Sequence, residues 1–178
     1  MIIMIKIKCY HTQKRKEKDK VLYAPMPGEG HDQWLGDGFY FWQDYEFAAW
    51  WGRAKKCYKD NFTRIYDIYD ATLIIDDDAF IDTVFNEKDY IKFVEKIEYF
   101  AEKYFKKYRI RPLLEEFNDF IADHNLWEDI EAIRFQDVPE NNELVKVTGY
   151  YYKKRIQIRV NNPELIYEFK HQAKFLCP

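Results

Sequence analysis

The opening residues alternate: Ile3, Ile5, Ile7 and Cys9 share one parity, and Lys6 and Lys8 fall on the other. That two-residue period is the mark of a half-buried strand. A strand from Ile2 to Tyr10 commits the chain to a sheet with one covered face, and it delivers His11 at its C-terminal end. The lysines also cut the apolar opening short of signal-peptide or membrane-spanning length. The expectation is a cytoplasmic chain with no membrane partner.

At 178 residues the chain suits one domain, 1–178, and is long enough to bury a core. Hydrophobic residues make up 47% and charged residues 33%, a balance that favours folding over disorder. The net charge of -3 supplies no global attraction for phosphate backbones, so nucleic acid is not the default partner. Cys9, Cys57 and Cys177 lack a CxxC pair, which argues against a disulfide framework or structural zinc and fits a reducing compartment. The 15 Tyr, 14 Phe and 5 Trp favour packed or stacked flat rings, in the core or against a ligand.

Further along, residues 14–20 form a charged run that reads as a solvated loop or short exposed helix. Pro25, Pro27, Gly28 and Gly30 mark an irregular connection. Trp34 to Trp42 is a glycine turn feeding a short aromatic strand. Asp44 is placed to cap a helix from Tyr45 to about Lys56, with Phe47, Ala48, Trp50, Trp51 and Ala54 inward. Ile65 to Ile75 reads as one or two strands, ended by Asp76-Asp77-Asp78.

Asn86 is placed to cap the longest helix, whose stripe is Tyr90, Phe93, Val94, Ile97, Ala101, Tyr104 and Phe105. Pro112 starts another, with Leu113, Leu114, Phe117, Phe120 and Ile121 on one side and His124-Asn125 near its end. Trp127 to Phe135 reads either as more helix or as a short strand. Leu144 to Tyr152 and Arg155 to Val160 read as an antiparallel pair around a lysine-rich turn, with Asn161-Asn162-Pro163 stopping the second. Glu164 reads as the start of a terminal helix or strand.

Three segments carry chemistry together: Tyr10-His11-Thr12, then Leu35-Gly36-Asp37-Gly38-Phe39-Tyr40-Phe41-Trp42 with Ala48 in the helix after it, and finally Arg155 to Ile166. In that order they resemble the signatures of the ADP-ribosyltransferase superfamily, which includes poly(ADP-ribose) polymerases and small bacterial relatives. The resemblance implies an α+β fold: a split, strongly bent antiparallel β-sheet core flanked by helices. It implies NAD as substrate, with His11 on the adenine-side ribose, the backbone of Thr12 on the nicotinamide carboxamide, and Tyr40 stacked on the nicotinamide ring. Gly38 and Ala48 complete the NAD-binding set, and no metal is implied. The implied activity is mono-ADP-ribosyl transfer to a macromolecular acceptor, protein or nucleic acid. A toxin or phage-defence setting, with an antitoxin as partner, follows by analogy.

The sequence departs from the family in two places. A lysine-rich run replaces the usual apolar helix after the histidine. Gln157 stands where a glutamate usually meets the nicotinamide ribose. An amide hydrogen-bonds a hydroxyl but lacks the charge that steadies an oxocarbenium-like transition state, and losing one such group slows a reaction by on the order of 10²–10³. Tyr40 and Gln157 are the expected catalytic residues, with Glu140 and Glu143 as upstream carboxylates that could substitute.

The rival expectation is a non-catalytic module that binds NAD, another nucleotide or a protein in the same cleft. A third is an aromatic-rich interaction protein with no NAD site. Asp76-Asp77-Asp78 with Asp82 lack calcium-loop spacing and read as a turn, while His31, His124 and His171 fit no metal motif. Lys153, Lys154, Arg155 and Arg159 beside Tyr150-Tyr151-Tyr152 form a basic cluster, read as an edge turn before a phosphate site.

Overall fold

The computed structural model describes residues 3–16, 20–28, 33–53, 65–137 and 154–176. In chain order these form β1 (Met4–Lys14), β2 (Phe39–Trp42), α1 (Tyr45–Trp50), β3 (Ile65–Asp76), β4 (Phe80–Asp82), α2 (Glu87–Tyr108), α3 (Leu114–Asp123), β5 (Ala132–Asp137), β6 (Arg155–Val160) and β7 (Ile166–Leu176). The class is α+β. The strands make one sheet in the order β4-β5-β6-β2-β1-β3-β7. Its pairings are antiparallel except β4 with β5, which is parallel. That exception corrects the wholly antiparallel expectation. The link from β4 to β5 runs through α2 and α3, the long crossover that a parallel pair requires.

Connectivity bends the sheet. Only Asp77–Ala79 separate β3 from β4, a reach of at most about 14 Å. In the strand order those two strands stand five ladder steps apart, about 24 Å were the sheet flat. The sheet therefore curls until β4 returns beside the end of β3.

The two faces are covered differently. On the core face Ile7, Cys9, Phe41, Leu73, Ile75, Phe80, Ile158 and Val160 pack in one cluster, to which none of the α-helices contributes. The curled sheet buries this face against itself. On the opposite, helix face, α2 and α3 pack Tyr104, Phe120 and Ile121 against Ile81, Ile133 and Phe135. Farther along that face, α1 sets Ala48 and Phe47 against Trp42 and Ile68.

β1 runs beyond its expected end, to Lys14, and Ile65–Asp76 is a single strand. Asp76 accepts from Asp78 N as that strand turns, while Asp82 pairs with Arg134 at 2.7 Å. Asn86 caps α2 by accepting from Lys88 N and Asp89 N. The inward row of α2 is Phe93, Ile97, Phe100 and Tyr104; Tyr90 and Phe105 from the expected stripe are exposed, because one helix face cannot hold so wide a set. α3 begins two residues after Pro112, and Leu113 and Leu114 point to solvent. The Glu116 carboxylate accepts from Leu113 N at 2.9 Å.

The described part of the helix after Asp44 is α1 and a wider turn over 51–53; Ala54 to Lys56 lie outside the described residues. Trp127 to Asp129 is turn, and the strand begins at Ala132. Leu144 to Tyr152 and Lys153 also lie outside. β6 nevertheless has β2 on one edge and β5 on the other, so its ladder partners come from distant sequence rather than from the preceding residues. Glu164 sits in a short 3-10 turn, Pro163–Leu165, that leads into β7. No helix among the described residues is long and apolar enough to cross a membrane.

Candidate functional site

The segments carrying His11, Tyr40 and Gln157 become three neighbouring strands, β1, β2 and β6. Between β1 and β2 the ladder amounts to one pair, Tyr10 opposite Trp42. Past it the strands part, and a side chain replaces the ladder: His11 Nδ1 lies 2.8 Å from the Tyr40 carbonyl oxygen. A carbonyl only accepts, so Nδ1 carries the proton and Nε2 is left with a lone pair. Burial pushes the imidazole below its ordinary value of 6.5, against the opposing pull of the Tyr40 carbonyl and the Gln13 side chain. It is therefore neutral near pH 7. Its ring sits between Phe41 and Phe169, and Nε2 is buried without a hydrogen-bond partner.

Successive side chains of a strand point to opposite faces, and this divides the expected site. His11 lies on the core face with Cys9 and Phe41. Thr12, Tyr40 and Gln157 lie on the helix face. The Thr12 hydroxyl donates to the Ala48 carbonyl at 2.8 Å, tying the end of β1 to α1. Tyr40 donates to the Gly36 carbonyl at 2.6 Å and accepts from Leu35 N at 3.2 Å, while its ring meets Phe135 edge-on. Burial is the main cause that raises its phenol to about 12, so Tyr40 stays protonated.

The glycines before Tyr40 are needed for geometry. Gly36 has φ +72, a left-handed conformation that disfavours side chains. At Gly38 a Cβ would come within 2.9 Å of Arg159 Nε and 3.1 Å of the Val160 carbonyl. Arg159 stands opposite Tyr40, and its guanidinium donates to the Asp37 carbonyl at 2.6 and 3.0 Å. The glycine turn is thus clamped from β6.

Gln157 stands opposite Trp42 on one side and Phe135 on the other. Trp42 belongs to the α1 cluster and Phe135 to the α2–α3 cluster, so this half-buried amide marks the boundary between them. Tyr40 and Gln157 are diagonal neighbours on one face of adjacent strands. The His11 imidazole is not brought to that face.

A polar group on the core face was missed in the sequence. Asp67, 1% exposed, receives Arg15 Nη2 at 2.6 Å and Nε at 2.8 Å, and His171 Nε2 lies 2.8 Å away. Burial raises its carboxyl, but the hydrogen bonds and charges of Arg15 and His171 outweigh that and hold it below 3.8. Tyr69 stands opposite His11 on β3, stacks on Phe169 at 4.3 Å, and has a buried, unpartnered hydroxyl. The Gln13 side chain and Leu22 backbone influence that phenol without completing a good hydrogen bond. Gln13 instead holds the loop above it, donating to the Ala24 carbonyl at 3.3 Å and accepting from Met26 N at 2.9 Å. The available signal was Asp67 itself, a charge on the parity that otherwise holds Tyr69, Ala71, Leu73 and Ile75.

The remaining histidines in the described residues have structural contacts: His124 Nδ1 lies 2.7 Å from the Phe120 carbonyl, and His171 is bound to Asp67. Among the described residues no group of three His, Cys, Asp or Glu is placed to hold a metal ion.

One curated relative is similar to this chain. It is an uncharacterized protein of Methanocaldococcus jannaschii, 26% identical over 84 residues, which are 46% of this chain and 39% of the relative. The match thus spans well under half of that protein's length. No family model matches the chain, and no solved structure matches it.

Proposed function

We propose that the chain is an NAD-binding protein of the ADP-ribosyltransferase type, with its cleft where β1 and β2 part, and that it transfers ADP-ribose to a macromolecular acceptor. One observation carries this reading: segments far apart in sequence, chosen for their resemblance to that superfamily, lie on three adjacent strands whose ladder gives way beside His11 and Tyr40. The curled sheet also fits the bent core that the resemblance implies. A dinucleotide across the parting would meet the Tyr40 ring and the Gln157 amide on the helix face. His11 bounds the parting from the core face, and its buried, unpartnered Nε2 would accept a hydroxyl proton only from a ligand group that passes between the strands.

A second reading, NAD binding without turnover, is favoured by the charges. Gln157 is neutral, and Arg159 follows two positions later on the same face, roughly 7 Å along the strand. A cation there opposes the charge that an oxocarbenium-like transition state gathers on the ribose, while it attracts the pyrophosphate of bound NAD. Calorimetric titration with NAD, followed by nicotinamide release, separates the readings. The transferase predicts slow release that Gln157→Glu raises by on the order of 10² and Tyr40→Ala abolishes. Binding with no release from either the parent or Gln157→Glu selects the module, and absence of NAD binding rejects both.

A further inference from the structure

Beneath the glycine turn lies an open groove of about 480 Å³ between that turn and α3. Leu35, Ile121, Leu126 and Trp127 give it an apolar floor, and Asp37, Asp119 and Glu128 an acidic rim. Among the described residues its basic lining residue, Arg159, already spends its guanidinium on the Asp37 carbonyl. Lys96 lies over the Trp127 ring at 5.9 Å and is not part of the lining. Asp119 and Glu128 are exposed and make no ion pair with a described residue. Trp127 is 8% exposed, and its indole N–H is buried without an acceptor.

We infer that this groove docks a cationic polypeptide segment, an arginine- or lysine-bearing stretch of the acceptor protein. Such side chains carry apolar stems and charged heads, matching an apolar floor under an acidic rim. The same rim repels a phosphate backbone, so the observations favour protein over nucleic acid. Arg159 forms the wall shared with Tyr40 and Gln157, which sets the docked segment beside the proposed cleft. Docking stands independently of the transferase reading; only the transfer of ADP-ribose to the docked segment rests on it.

The test is fluorescence anisotropy with a labelled arginine-rich peptide at low salt, on the full chain and on the double variant Asp119→Lys/Glu128→Lys. The expected result is saturable binding that weakens at least about tenfold in the variant and weakens with added salt, as exposed ion pairs do. Trp127→Phe, which keeps the floor apolar, should weaken binding less. Peptide binding unchanged by charge reversal, or absent from the parent, overturns the inference. Nicotinamide release is measured in parallel. Docking without release would leave the groove standing while the transferase reading fails; release without docking would do the opposite.

Discussion

Strand β1 has two neighbours and treats them unequally. Toward β3 it is registered residue for residue from Met4 opposite Asp76 to Lys14 opposite Tyr66. Toward β2 it is registered once, and His11 then takes over by bonding the Tyr40 carbonyl. A continuous ladder spreads its hold over many backbone bonds and tolerates the loss of one side chain. A seam held by one pair and one imidazole concentrates that hold in few groups. The unequal edges of one strand thus separate scaffold from candidate site.

The strongest test of the scaffold edge is Asp67→Ala. This carboxylate is buried between Arg15 and His171, and its removal leaves the Arg15 guanidinium, 7% exposed, without its principal anion. Breaking a buried pair from one side costs about 3–5 kcal/mol, readable as a fall in the urea midpoint. A loss below about 1 kcal/mol would mean that water reaches the pair. Since Asp67 is held below 3.8, the unfolded chain binds its proton first, so its contribution is present above that value and fades as pH falls through the lower, folded one.

At the thin edge, His11→Ala removes a buried ring and strands the Tyr40 carbonyl, at a cost of roughly 2–4 kcal/mol. The pH signature differs from that of Asp67. His11 is depressed below 6.5 in the fold, so its stabilisation is complete above 6.5 and declines as pH falls below it, where the unfolded chain takes up the proton first. Acid titration should show a mild loss beginning near 6.5 that disappears in His11→Ala, and a separate loss below 3.8 that remains. Absence of the first phase would mean that the imidazole can charge in place.

The Thr12 hydroxyl bond to the Ala48 carbonyl fastens α1 to the same edge. Thr12→Val keeps the shape and deletes the bond, for about 1 kcal/mol. If the thin seam is the ligand's entry, it should also loosen amide-exchange protection in Tyr45–Trp50 while leaving β3 unchanged. Equal loosening on both edges would break the comparison.

Much of this was legible in local patterns. The Ile3-Ile5-Ile7-Cys9 alternation and the Asn86 cap follow short-range rules, and the structure keeps them. What local pattern could not give was pairing. Arg155 to Val160 looked like half of a hairpin with the residues before it, yet its ladder partners are β2 and β5. Ladder bonds join backbones and are blind to sequence distance. The expected helix stripe is too wide because Tyr90 and Phe105 repeat at helical spacing while standing outside the face that meets the sheet. At the site, the segments of His11, Tyr40 and Gln157 were legible, but which face each side chain takes depends on strand register. Consecutive residues such as His11 and Thr12 must diverge, and a motif read as a string does not say which of them a ligand meets.

Tyr69→Phe carries the smallest expected change and the most pointed meaning. The Tyr69 hydroxyl lies on the well-laddered side, opposite His11, buried and unpartnered like Nε2. Deleting an unsatisfied buried hydroxyl while keeping its ring stacked on Phe169 should leave stability within about 1 kcal/mol of the parent, or raise it. A loss above about 2 kcal/mol would instead reveal a bound water or ligand already joining the hydroxyl to His11. The two edges of β1 would then share one polar network, and the division between scaffold and site would lie between the faces of the sheet rather than between its seams.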